Sequence, residues 1–124
     1  MTKKKVLFVE DYAALQEAYK IALSAEGYDV TIAGNCKEAV DSATANQPDL
    51  VVLDMLLPDE GGMEFLRQYP LKDHPGTRVV VFSNLSSPEL FNEAKELGAE
   101  KYLVKSNYTP KRLAEVIDEM LKAD

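Results

Sequence analysis

Five side chains of this sequence combine types that do chemistry on phosphate: the adjacent Glu10 and Asp11, then Asp54, Ser83 and Lys105. Each directly follows a short apolar run. If the runs lie side by side, three carboxylates, a hydroxyl and an ammonium meet at one edge. Like charges at ~4 Å repel by about 4 kcal/mol even at an effective dielectric near 20. A bound divalent cation relieves that repulsion. With oxygen ligands and no His or Cys nearby, Mg²⁺ is the natural candidate. An ion held by a few carboxylates keeps open positions for water and phosphate oxygens. The ammonium adds a point charge and the hydroxyl a donor, which suits the charge on a transferring phosphoryl group. A carboxylate can itself be the nucleophile.

The elements must bring these residues together. Five continuous apolar runs, Val6–Val9, Val30–Ala33, Leu50–Leu53, Val79–Phe82 and Tyr102–Val104, have strand length. Between them lie segments with helical spacing. The first covers about Ala13 to Glu26, with Leu15, Ala18, Tyr19, Ala22 and Leu23 on one stripe and Gly27 as its stop. The second opens at Asn35 with Glu38 three residues on, a capping box, and Pro48 closes the turn after it. The third is short, roughly Met63 to Gln68. The fourth opens at Ser86-Ser87-Pro88-Glu89 and stops at Gly98. The fifth opens with Thr109 as N-cap and Pro110 at the first helical position, and points Leu113, Val116, Ile117, Met120 and Leu121 inward.

Strands alternating with helices imply a parallel sheet covered on both faces. The common solution at this size is the doubly wound, flavodoxin-like (βα)5 fold of order 2-1-3-4-5. In such sheets ligands bind beyond the C-terminal strand ends. The first strand ends at Glu10-Asp11, the third at Asp54, the fourth at Ser83 and the fifth at Lys105. The second ends in Ala33-Gly34, with nothing reactive.

Composition sets the limits. The 124 residues fit one domain, 1–124. At 46% hydrophobic and 28% charged, the chain can bury a core. With 14 Lys+Arg against 21 Asp+Glu, the net charge of -7 argues against binding nucleic acid or an anionic membrane. The single cysteine, Cys36, excludes an internal disulfide and a cysteine zinc site, and fits a reducing, cytoplasmic location. The Val6–Val9 run after MTKKK is too short for a signal peptide or a membrane span.

In identity, order and strand placement, Glu10-Asp11, Asp54, Ser83 and Lys105 resemble the receiver-domain signature of two-component response regulators. The resemblance covers the whole chain. It implies that Asp54 takes a phosphoryl group from a histidine kinase or a His-containing phosphotransfer protein. It implies Mg²⁺ held by Glu10, Asp11, Asp54 and the backbone carbonyl of Leu56, with Lys105 on the phosphoryl group. Ser83 is then the switch hydroxyl, and Tyr102 the aromatic that swings inward when Ser83 moves. Pro58 and Gly62 match the loop after the phosphoacceptor. A downstream protein, or an output domain outside this chain, reads the face of the fourth helix, fifth strand and fifth helix. Such a domain catalyses only its own phosphorylation and slow dephosphorylation, and is not a turnover enzyme.

The sequence departs from the common pattern in two places. Ser106-Asn107 follows Lys105 where many members have Pro and an aromatic. That argues against the cis peptide usual there, since a non-proline cis bond costs about 3 kcal/mol. It also weakens transfer of the dimer interface used by DNA-binding members. Leu56 and Leu85 stand two residues after Asp54 and Ser83, where polar residues in some relatives orient a hydrolytic water. Two leucines dry that approach and imply slow loss of the phosphorylated state.

Other functions compete for the same residues. An Mg²⁺-dependent aspartyl phosphohydrolase needs an acid/base carboxylate two after the nucleophile, where this chain has Leu56. A pseudo-receiver that only binds a protein has no use for the intact acidic pair, Asp54, Ser83 and Lys105. A flavodoxin-like cofactor carrier needs a Gly- or Ser/Thr-rich phosphate loop after the first strand, and this sequence has none there. Elsewhere, His74 reads as a surface histidine, Cys36 as structural, Met55 and Met63 as packing, and Ser83–Pro88 as the mobile loop of the switch.

Overall fold

The computed structural model describes residues 3–85 and 87–122. In chain order these form β1 (Lys5–Val9), α1 (Ala13–Ala25), β2 (Asp29–Ala33), α2 (Cys36–Asn46), β3 (Leu50–Leu53), α3 (Gly62–Gln68), β4 (Arg78–Ser83), α4 (Pro88–Glu96), β5 (Lys101–Val104) and α5 (Pro110–Lys122). Two 3₁₀ turns, Leu71–Asp73 and Lys105–Asn107, complete the described elements. The strands make one parallel sheet of order β2-β1-β3-β4-β5. This is the doubly wound flavodoxin-like arrangement expected from the alternation of runs and helical segments.

Period-2 alternation divides the strand residues between two cores. Leu7, Val9, Val51, Leu53, Val79 and Val81 face one way and pack against Ala39, Ala43, Phe65, Leu66 and Ala94 of α2, α3 and α4. Val6, Phe8, Leu50, Val52, Val80 and Phe82 face the other way, against Tyr19, Leu23, Leu113 and Ile117 of α1 and α5. β3 is buried along its whole length, as a central strand covered on both faces must be. β2 and β5 form the two edges and are more open.

The helix starts follow the capping chemistry. Asn35 Oδ1 accepts from the Glu38 N–H at 2.8 Å, and Glu38 Oε1 accepts from the Gly34 N–H at 2.8 Å. The box therefore closes one residue earlier than its usual form. Ser87 Oγ accepts from Leu90 N–H at 3.1 Å, which starts α4; Ser86 lies outside the described residues. Thr109 Oγ1 accepts from Arg112 N–H at 3.1 Å, and Leu113, Val116, Ile117, Met120 and Leu121 of α5 are all buried as the pattern requires.

His74 departs from the sequence reading. It is half-buried and stacks on Tyr69, with ring centroids 3.7 Å apart and planes within 8°. Pattern alone missed this because Tyr69, the residue it covers, lies across a turn from it. Beneath the stack, the Tyr69 hydroxyl lies 3.1 Å from Thr77 Oγ1, which donates to the Pro48 carbonyl at 2.7 Å. Cys36, Met55 and Met63 are buried, as read from the sequence.

Candidate functional site

The sheet order sets Glu10, Asp54, Ser83 and Lys105 at neighbouring strand ends. β1 and β3 pair in register from Val6↔Leu50 to Val9↔Leu53, so Glu10 and Asp54 emerge side by side. β3 pairs with β4 and β4 with β5, the last pair being Ser83↔Val104. Carboxylate oxygens of Glu10, Asp11 and Asp54 lie within 4.8 Å of one another.

Each oxygen of Asp54 has a partner. Oδ1 accepts from Ser83 Oγ at 2.7 Å and from the Leu56 N–H at 3.1 Å. Oδ2 takes the Lys105 ammonium at 2.7 Å. Glu10 shares that ammonium through Oε1, while its Oε2 accepts from the Tyr12 N–H at 3.0 Å. Glu10 is 2% exposed, Asp54 5% and Ser83 0%. Charges so deeply placed need partners, and the Lys105 bridge supplies one to both acids. Burial works to lower the Lys105 pKa. Its bonds to Asp54 and Glu10, and their charges, outweigh burial and hold it above the ordinary lysine value. Asp11 is exposed, and among the described residues its carboxylate has no hydrogen-bond or ion-pair partner.

Around these groups opens a cleft of about 440 Å³, lined by Glu10, Asp11, Asp54, Leu56, Asn84 and Lys105 among others. Leu56 stands at its mouth, 58% exposed. Leu85, 38% exposed, does not line it and acts through its backbone. Its N–H donates to Ser83 Oγ at 3.2 Å, and its carbonyl accepts from the Tyr102 hydroxyl. Of the two leucines, Leu56 is thus the one that lines the cleft. Burial first, then the charge of Asp54, raise the Tyr102 pKa, so its hydroxyl stays a donor. Ser83 thus bonds to Asp54, and Tyr102 to the loop after β4. A larger groove of about 610 Å³ runs along α1 but collects no convergent set of reactive groups.

Residues 6–118 match the response regulator receiver domain family. The chain belongs to that family. Similar to it are sporulation initiation phosphotransferase F of Bacillus subtilis, 32% identical over 85% of this chain and 84% of that protein, and chemotaxis protein CheY of Thermotoga maritima, 29% identical over 96% and 98%. Among solved structures, a CheY-like receiver domain protein from Methanospirillum hungatei superposes with a TM-score of 0.91 at 30% identity, covering 98% of this chain and 96% of that one. Receiver domains are signalling domains of two-component systems, and they interact with histidine kinases or phosphotransfer proteins and with effectors. As a class they bind Mg²⁺ at an acidic pocket, and this receiver has such a cluster. No helix among its described residues is long and apolar enough to cross a membrane.

Two residues at the site escaped the sequence reading. Asp59 reaches from the loop after Asp54 to the start of α2, where its carboxylate accepts from the N–H groups of Cys36 at 2.8 Å and Lys37 at 3.0 Å. Backbone hydrogen bonds, that of Cys36 foremost, hold the Asp59 carboxyl below its ordinary value. Asn84 is the other: its Oδ1 accepts from Ser106 N–H at 2.9 Å. Neither residue type announces such a role at a loop position. The bond after Lys105 is trans, as Ser106 led us to expect.

Proposed function

We propose that this receiver is a phosphorylation-activated switch in which Asp54 accepts a phosphoryl group from a histidine kinase or a phosphotransfer protein. One observation carries the reading. Ser83 Oγ and Lys105 Nζ converge on different oxygens of one buried carboxylate, each at 2.7 Å. In transfer, the bond from phosphorus to the donor's leaving atom breaks and that atom keeps the electron pair. A bond from phosphorus to an Asp54 carboxylate oxygen forms. The Lys105 ammonium and the Ser83 hydroxyl then bind the phosphoryl oxygens, where charge accumulates.

The donor set fits Mg²⁺. All its groups are oxygens, they cluster within one ion's reach, and the Asp11 carboxylate is unpartnered among the described residues. Glu10, Asp11 and Asp54 would hold the ion with the Leu56 backbone carbonyl. Bound there, it supplies charge neutralisation and binds phosphate oxygens. The phosphorylated and free forms differ in the bonds open to Ser83, and so in how firmly Leu85 and Tyr102 are placed. A downstream protein reads that difference on the α4–β5–α5 face. The chain catalyses its own phosphorylation and a slow hydrolysis, and acts in the cytoplasm. Residues 1–124 make one receiver domain.

The test is the intact mass after incubation with acetyl phosphate and Mg²⁺. The expected result is one phosphoryl adduct, absent in Asp54→Asn and absent when the metal is chelated. No adduct on the unaltered chain overturns the proposal and leaves a pseudo-receiver.

A further inference from the structure

Ser83 and Lys105 hold the two oxygens of Asp54. The next residue along each chain, Asn84 and Ser106, hold each other: Ser106 N–H donates to Asn84 Oδ1 at 2.9 Å. The β4–β5 ladder ends at the pair Ser83↔Val104. Beyond it the two backbones separate, β4 into the loop before α4 and β5 into the 3₁₀ turn Lys105–Asn107. The Asn84 side chain spans that separation and supplies one further rung. Its orientation is fixed by chemistry, because a backbone N–H must meet the amide oxygen and not the amide nitrogen. The rung also requires a residue with an N–H at 106; proline there has none. The 3₁₀ turn is closed on its far side, where Tyr108 N–H donates to the Lys105 carbonyl at 3.1 Å and the Tyr19 hydroxyl to the Tyr108 carbonyl at 3.3 Å.

We infer that Asn84 is a positioning residue that ties the strand end carrying Ser83 to the turn carrying Lys105, so that both groups meet the phosphoryl acceptor as one preset pair. This rests on the proposed phosphoacceptor role of Asp54. Asn84 acts through Ser106 and need not touch the phosphoryl group. Its effect therefore falls on the rate with donor bound, and not on donor binding.

The test uses the full chain with acetyl phosphate and Mg²⁺, and follows three quantities: the saturated phosphorylation rate, the half-saturating donor concentration, and hydrogen exchange of the Ser106 amide. Asn84→Ala should lower the saturated rate about threefold and speed Ser106 exchange about threefold, the low end for one net hydrogen bond because both residues are exposed. Half-saturation should stay unchanged. Asn84→Asp keeps the acceptor and loses the amide donor. It should restore the exchange protection and the saturated rate, while its added charge raises half-saturation for the anionic donor. An unaltered rate in Asn84→Ala overturns the inference. So does a loss that Asn84→Asp fails to repair, since that would mark the amide N–H as the active part. If the unaltered chain takes no phosphoryl group, the proposed function fails on its own. Unchanged Ser106 exchange in Asn84→Ala would then overturn the tie separately.

Discussion

Gly62→Ala puts the geometry around Asp54 under direct test. A Cβ at Gly62 would lie well inside van der Waals contact with the Asp54 carbonyl oxygen and 2.7 Å from Met55 Cε. The methyl end of Met55 can rotate away. The carbonyl cannot, because it belongs to the backbone that leaves β3 with Asp54. Overpacking a rigid site costs about 1–3 kcal/mol, and backbone overlap puts this case at about 3. A 124-residue chain unfolds with an entropy of roughly 0.26 kcal/mol/K, so the melting temperature should fall by about 12 °C. The same displacement moves Asp54 away from Ser83 and Lys105, so phosphoryl uptake from acetyl phosphate should slow as well. Gly76→Ala is the control. A Cβ there meets nothing within 4 Å, and the change should stay within about 0.5 kcal/mol. Thermal melts followed by circular dichroism, with the mass assay alongside, decide the matter. If Gly62→Ala melts within two or three degrees of the unaltered protein and accepts phosphate as fast, the packing argument is wrong.

Three further outcomes are expected. Leu56→Asn places a polar amide at the mouth of the cleft and should speed phosphate release about tenfold, ~1.4 kcal/mol off the barrier; labelled phosphate release measures it, and loss within seconds from the unaltered chain would refute slow turnover. Thr77→Val strips the partner from the Tyr69 hydroxyl and the Pro48 carbonyl, and should cost about 1–3 kcal/mol in urea unfolding. Burial, aided by the charges of Asp59, Glu60 and Glu64, pushes the Cys36 thiol up to about 11. Between its ordinary 9.0 and that value the unfolded chain binds fewer protons than the folded one, so this contribution to stability is complete below the window and is lost as pH rises through it. Urea midpoints should fall less steeply across that range in Cys36→Ala than in the unaltered chain.

Much of the architecture was legible because buried parallel strands leave a simple trace. Leu50–Leu53 is β3 to the residue, and the other runs gained only one or two polar residues at their ends, such as Arg78 and Ser83 on β4. The strand order needed the doubly wound precedent, since apolar runs carry no record of their neighbours. The acidic pair, Asp54, Ser83 and Lys105 could be found because each terminates such a run. Asn84 and Asp59 could not. Their bonds cross from one loop to another, and no local pattern encodes the distance between Asn84 and Ser106 or between Asp59 and Cys36. The hydrogen bond from Ser83 to Asp54 was equally hidden. It depends on side-chain reach at the end of the ladder, which residue type does not report.

The two edges of the site differ in how firmly the sheet holds them. Asp54 leaves β3, a strand with every residue buried and a hydrogen-bonded neighbour on each side. Lys105 leaves β5, an outer strand whose first residue is exposed and whose others are only half covered. Local opening draws on the least covered elements first. Amide exchange should therefore grade from β3 to β5, slower at Asp54 than at Lys105. Asp54 thus follows a strand held on both sides, while its counter-charge rides on an edge strand that the core covers less.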